Sequence, residues 1–225
     1  MPGVKIMAEN LNRELRHLKQ AIVDVGSLAE DSLAKAVRAL TTRDERLARE
    51  VIYADREIDR REVAVEEDCL KILALYQPVA LDLRFVVAVI KINNEVERIG
   101  DLAASIAKRV VYLSRVMEAP IPVDFREMAF LVQTMVKRSL DALVNTNVEL
   151  AQQVRDDDDL VDALHNQISE DINALIAEHP EQMEWFIKLN AISRHLERLA
   201  DMAACIAEEV MYMVEGSIVR HRAGA

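Results

Sequence analysis

Residues 96–107 read VERIGDLAASIA and residues 196–207 read LERLADMAACIA, identical at seven of the twelve positions without a gap. The apolar stripes around them match at the same offset: Phe85, Val89, Ile92, Val96, Ile99, Ala103, Ile106, Val110 and Leu113 align with Trp185, Leu189, Ile192, Leu196, Leu199, Ala203, Ile206, Val210 and Met213. Alternating steps of three and four mark one face of a long helix. Periodicity alone accounts for the apolar match. It does not account for a Glu-Arg pair and an Asp recurring in the same phase, so the two segments read as copies in a tandem duplication.

Working outward, each copy is the last of three helices. Leu11, Leu15, Leu18, Ile22, Val25, Ala29, Leu33, Ala36 and Leu40 define a first helix, which Thr41-Thr42-Arg43-Asp44 interrupts, with Asp44 as the next N-cap. A second helix carries Leu47, Val51, Ala54, Ile58, Val65, Cys69 and Ile72 and ends at Gln77-Pro78. The third runs from about Leu81 to Met117. Pro120 and Pro122 bracket Ile121 in the clearest linker of the chain. A fourth helix follows over about Asp124 to Leu150, a fifth over Asp156 to Glu178, and a sixth over Glu181 to Val214, with a small, basic, mobile tail from Gly216. The predicted fold is all-α: two tandem three-helix bundles, residues 1–118 and 119–225, packed end to end or side by side.

Composition agrees. The 225 residues are 51% hydrophobic and 30% charged, enough to bury a core and stay in solution. Five glycines and five prolines leave few turn-formers for a strand-rich fold. A net charge of −11 disfavours direct binding to nucleic acid or an anionic membrane. Two cysteines, Cys69 and Cys205, make neither a disulfide scaffold nor a zinc site and read as small buried thiols. With no apolar N-terminal signal core, a cytoplasmic location is expected.

The repeated acids carry the chemistry. Glu97 and Asp101 stand one turn apart, about 130° and 170° from the centre of the core stripe, and are expected to point away from the bundle core. Glu197 and Asp201 repeat the pair. The second helix offers Asp55 and Asp59, and the fifth offers Asp158 and Asp162 inside a run of four aspartates. Like charges at this spacing cost a few tenths of a kcal/mol, roughly, and a multivalent cation reverses that sign. Antiparallel helices could bring Asp55, Asp59, Glu97 and Asp101 together, and likewise Asp158, Asp162, Glu197 and Asp201. Oxygen-only donors suit magnesium, calcium, manganese or iron. Any single acidic pair reads as a solvated face; two pairs per half, repeated, read as cation sites. Glu14 with His17 and Asp162 with His165 have carboxylate-histidine spacing but fall short of a di-iron set. His195 reads as a surface or partner-facing histidine. No phosphate loop, nucleophile elbow or Cys-x-x-Cys is present, so no enzyme is expected.

The stretch Gln77-Pro-Val-Ala-Leu-Asp-Leu-Arg84, followed by Asn94-Glu-Val-Glu-Arg-Ile-Gly-Asp101, resembles the signature of the PhoU family, bacterial regulators of phosphate uptake and signalling. Val51 to Asp59 and Glu66-Glu-Asp-Cys-Leu70 share the resemblance, which spans about Leu11 to Gly216. The second half departs from the signature, with Glu184 in place of Arg84 and Ala200 in place of Gly100. The resemblance implies an adaptor that acts with the ATPase subunit of a phosphate ABC transporter and with a sensor histidine kinase. Such a protein damps uptake and the starvation response and reaches the membrane only through its partners. It further implies a homodimer, and multinuclear metal (iron, manganese, zinc or magnesium) at the two carboxylate sets named above. The competing expectation is a metal-homeostasis protein whose clusters are the primary function.

Overall fold

Asp44 accepts a hydrogen bond from the Leu47 backbone N–H at 3.0 Å, and Asn147 accepts one from Leu150 N–H at 2.9 Å. These two N-caps open the middle helix of each half. In the computed structural model, which describes residues 2–116 and 121–217, the chain forms α1 (Pro2–Thr42), α2 (Glu45–Tyr76), α3 (Ala80–Val116), α4 (Arg126–Asn145), α5 (Val148–Glu178) and α6 (Met183–Glu215). A 3-10 turn, Pro180–Gln182, precedes α6, and the described residues contain no strand. The all-α expectation holds.

One boundary differs. The fourth helix stops at Asn145 and the fifth starts at Val148, eight residues before the expected Asp156. Thr146 adopts left-handed backbone angles (φ 50°), its N–H bonds back to the Leu143 carbonyl, and Asn147 begins the next helix. The apolar pattern runs through this turn unbroken, so only the cap chemistry marks it. Ala54, expected in the core stripe of α2, is exposed; the buried positions are Ala48, Val51, Ile58, Val65, Cys69 and Ile72. Cys69 is a buried free thiol, its pKa pushed up to about 12 chiefly by burial, whereas Cys205 is only half-buried. Gly216 ends α6 at φ 75°, a conformation that favours glycine, with its N–H on the Tyr212 carbonyl at 2.8 Å. Pro120, Met117 and the expected tail beyond Ser217 lie outside the described residues.

Helix contacts define two layers. In the front layer α2, α3, α6 and α5 lie in that order; α1 backs α2 and α3, α4 backs α5 and α6, and α1 also touches α4. The halves therefore stand side by side. At the central seam α3 and α6 run antiparallel, since Lys91 meets Glu209 near one end and Tyr112 meets Glu184 near the other. A single cluster of buried residues, from Leu18 through Ile99 and Met135 to Met213, spans both halves. Burying each large aliphatic side chain in it contributes about 1.5–3 kcal/mol.

Candidate functional site

The buried stripe of α2 proceeds Ala48, Val51, Ile58, Val65, Cys69, Ile72. Steps of four and three leave two places unfilled by apolar residues, and Asp55 and Glu62 occupy them. In α5 the stripe is Ala151, Val154, Val161, Ile168, Ile172, and the corresponding places hold Asp158 and His165. The chain thus sets polar groups where a bundle helix would set core residues, at the α2–α3 and α5–α6 seams. Facing them, α3 buries Asn93 and Gly100, while α6 buries Ser193 and Ala200. A Cβ on Gly100 would lie 2.8 Å from Ile58 Cδ1 and 3.5 Å from Asp55 Oδ1, so the bare glycine lets α2 approach at the acidic site.

The four acids of the first set act on one another electrostatically. The carboxyl of Asp55 is raised above its ordinary pKa by burial, then by the charges of Asp101 and Asp59. That of Glu97 is raised by burial, then by Asp101, Asp59, Glu62 and Asp55. In the second set, Asp158 is pushed up to about 6 by burial, then by Asp201, Asp162, Asp159 and Glu197. Glu197 is raised by burial and Asp201, with His165 opposing, and Asp201 by burial and Asp162. Glu97 and Asp201 are half-buried and do not point straight away from the core as the wheel suggests; they flank the seams.

Glu62 belongs to the first set, and the sequence reading missed it. Burial and the neighbouring Glu66 and Asp59 raise its pKa. Buried Asn93 donates to the Glu62 carbonyl at 2.8 Å and to its carboxylate at 3.2 Å. A groove of about 410 Å3 beside it is lined by Glu62, Glu66, Ile90, Lys91, Asn94 and Glu95. The signal was available, because Glu62 falls in the α2 core phase. The counterpart in the second half is His165, whose Nδ1 lies 2.8 Å from Ser193 Oγ.

These donors fit a hard or borderline cation. Asp55 Oδ1 is buried with no hydrogen-bond partner, which costs stability unless a cation or proton satisfies it. As the side chains stand, no three His, Cys, Asp or Glu residues among those described are close enough to hold a metal ion. Ionised carboxylates that act on one another repel, and a cation would remove that repulsion. Asp55, Asp59, Glu97 and Asp101 would hold it in the first half, and Asp158, Asp162, Glu197 and Asp201 in the second.

The weaker candidates resolve differently. Glu14 pairs with Lys71 at 3.1 Å and His17 faces Asp68 at 3.5 Å, an exposed ion-pair patch joining α1 to α2. His195 corrects the expectation of a surface histidine. Both of its ring nitrogens are buried and unpartnered, at the α3–α6 seam. Burial and the nearby Arg109, Arg198 and Arg194 hold its pKa down at about 4.

Six long helices in two layers, with duplicated carboxylate sets at equivalent seams, define a class of tandem-repeat helical bundle. The PhoU domain family matches residues 22–110 and 125–210, and the chain belongs to the PhoU family. It is 35% identical over 214 residues to the phosphate-specific transport system accessory protein PhoU homolog of Aquifex aeolicus, covering 94% of this chain and 96% of that protein. It is 34% identical to the Pseudomonas aeruginosa homolog, over 96% of this chain and 89% of that protein. The crystal structure of PhoU from P. aeruginosa superposes with a TM-score of 0.89 at 34% identity, covering 92% of this chain and 99% of that one. The phosphate transport system regulatory protein PhoU from Streptococcus pneumoniae gives a TM-score of 0.86 at 30% identity, over 93% and 99%.

Proposed function

We propose that this protein is a negative regulator of phosphate uptake and of phosphate-starvation signalling. In this reading it is a non-enzymatic, cytoplasmic homodimer that joins the ATPase subunit of a phosphate ABC transporter to a sensor histidine kinase. Family membership supports the phosphate part, since the relatives are named as accessory and regulatory proteins of phosphate transport. No described helix is long and apolar enough to cross a membrane, so membrane contact is assigned to the partners. Long amphipathic helices suit docking against the helical bundle of a kinase.

The observation that carries the metal part is the pair of carboxylate sets at equivalent seams, with Asp55 Oδ1 buried and unsatisfied. Multinuclear iron, manganese, zinc or magnesium there would supply positive charge to an otherwise self-repelling face. Asp55 with Asp59 from α2, and Asp158 with Asp162 from α5, would supply oxygens to each set. Glu97 and Asp101 from α3, and Glu197 and Asp201 from α6, would supply the rest. Neutralising those faces would change which partner surface they accept.

Elemental analysis of protein purified without chelator tests the metal part, with Glu97→Ala/Asp101→Ala and Glu197→Ala/Asp201→Ala alongside. More than one equivalent of metal, lost half by half, is expected. Binding to the purified ATPase subunit and kinase, with metal loaded and stripped, tests the adaptor part. Metal that exchanges freely while neither partner binds would replace this reading with metal homeostasis.

A further inference from the structure

The central seam carries the same duplication as the acidic sets, but its two ends have diverged in charge. At one end Lys91 of α3 pairs with Glu209 of α6 at 3.2 Å, and Arg98 pairs with Glu95 at 3.2 Å. Glu209 is only 3% exposed, and its charge is met. A shift of one hundred residues gives the opposite end: Glu209 corresponds to Arg109, Glu95 to His195, Asn94 to Arg194 and Arg98 to Arg198. There each acid has become a base.

The consequence is a basic cluster inside a chain of net charge −11. Arg109 makes one hydrogen bond, from Nη1 to the Ser105 carbonyl at 2.9 Å, and its Nε is buried without a partner. Arg194 and Arg109 repel one another, and Arg109, Arg198 and Arg194 all act on His195. Burial and the charge of Arg194 lower the Arg109 pKa. Arg198 also feels Glu197 and Asp201 at longer range. Both nitrogens of His195, on which the three guanidinium groups act, are buried and without a hydrogen-bond partner. Cations converging on buried polar nitrogens that lack partners describe half of an interaction. Guanidinium groups present paired N–H donors that match oxyanions. Arg194 and Arg198 are exposed and so free to swing onto a ligand.

We propose that the α3–α6 seam at Arg109, Arg194, His195 and Arg198 is a binding site for a phosphate-class oxyanion, free or as a monoester. Arg109 and Arg194 supply the principal charge-assisted hydrogen bonds, His195 supplies a ring N–H, and Arg198 is at the rim. The site adjoins the second carboxylate set through Arg198, which acts on Glu197 and Asp201, but its principal groups, Arg109 and Arg194, are not members of that set.

The test is calorimetric titration of chelator-treated, full-length protein with inorganic phosphate and, separately, with phenyl phosphate, at ionic strength held constant with chloride. Saturable binding is expected, about tenfold weaker in Arg109→Gln and in Arg194→Gln for the loss of a charge-assisted hydrogen bond. Lys91→Gln, at the opposite end of the seam, should bind as wild type does. Preference for the ester would assign the ligand to a carried phosphoryl group, and preference for inorganic phosphate to the free ion. Heats no larger than those from chloride, or Arg109→Gln and Arg194→Gln variants that bind undiminished, would overturn the proposal. Should Arg109→Gln not fold, exposed Arg194→Gln and the charge-retaining Arg109→Lys carry the comparison, the latter expected to bind more weakly because lysine lacks the fork.

Discussion

The two halves hold the same four-acid arrangement in different surroundings. In the first, Asp55, Asp59, Glu97 and Asp101 are joined by Glu62 and Glu66, and Asn93 fixes Glu62 from across the seam. In the second, the places of Glu62, Glu66 and Asn93 belong to His165, Ser169 and Ser193, and His165 bonds Ser193. One cluster is extended with more carboxylate; the other is bounded by an imidazole. The helix packing beneath diverged in a compensated way. Gly100 faces Ile58 in the first half, and the corresponding pair in the second is Ala200 and Val161. One carbon has moved across the seam, leaving the summed side-chain size unchanged. Duplication thus preserved the summed size of the packed pair and the four acids, while the neighbouring charges diverged.

The seam ends offer the largest expected contrast. Lys91→Ala strands the nearly buried carboxylate of Glu209 and should cost about 2 kcal/mol, less than a fully buried pair because Lys91 is partly exposed. Arg109→Gln, at the equivalent end, removes a charge that meets only others of its kind, and its effect should fall within about 0.5 kcal/mol of zero. Urea denaturation of both variants measures the difference, and equal losses would break the comparison.

Next comes packing. Gly100→Ala pushes a methyl against Ile58 Cδ1, the movable end of that side chain, and should cost about 1–2 kcal/mol. Adding Ile58→Val reproduces the second-half pair and should recover most of the loss. Failure of that rescue, read from denaturation midpoints, would show that the seams are not equivalent.

Titration separates the acids. The folded pKa of Asp158, about 6, lies above its ordinary value of 3.8, so the folded state holds the proton more tightly. Stability from this group is fully present below pH 3.8 and is lost as pH rises through about 6. In metal-free protein Asp158→Asn should therefore stabilise by about 1 kcal/mol at neutral pH, discounted for its partial exposure. The same substitution should abolish second-half metal uptake. Thermal melts across this pH range, with and without manganese, report both.

The smallest effect tests the equivalence of the middle helices. Asp44→Ala and Asn147→Ala each remove one N-cap bond and should cost about 0.5–1 kcal/mol, by the same amount within error.

Much of this was legible in the chain. Core periodicity, the Pro122 region, the Asp44 cap and the repeated Glu-Arg and Asp positions are local or internal comparisons that need no coordinates. The α4–α5 turn was missed because its apolar pattern is continuous, although Asn147-x-x-Leu150 repeats Asp44-x-x-Leu47 and marks the same start. Glu62 was missed because an acid in core phase contradicts the expectation of an apolar side chain there, and His165 was noted only for its spacing to Asp162. Asp55 and Asp158 in the same phase were identified only through their spacing to a second acid.

Sequence alone determined that the protein is a duplicated helical bundle and which eight acids are paired, because both follow from spacing along one helix. Which helices become neighbours was decided only in three dimensions. The front-layer order α2, α3, α6, α5 sets two carboxylate seams on either side of a third seam, where α3 and α6 run antiparallel. That antiparallel contact brings Arg109 to Arg194 and His195, and Lys91 to Glu209. The charges that meet there lie far apart in the chain, and whether they neutralise or reinforce one another depends on distances that helical periodicity does not encode.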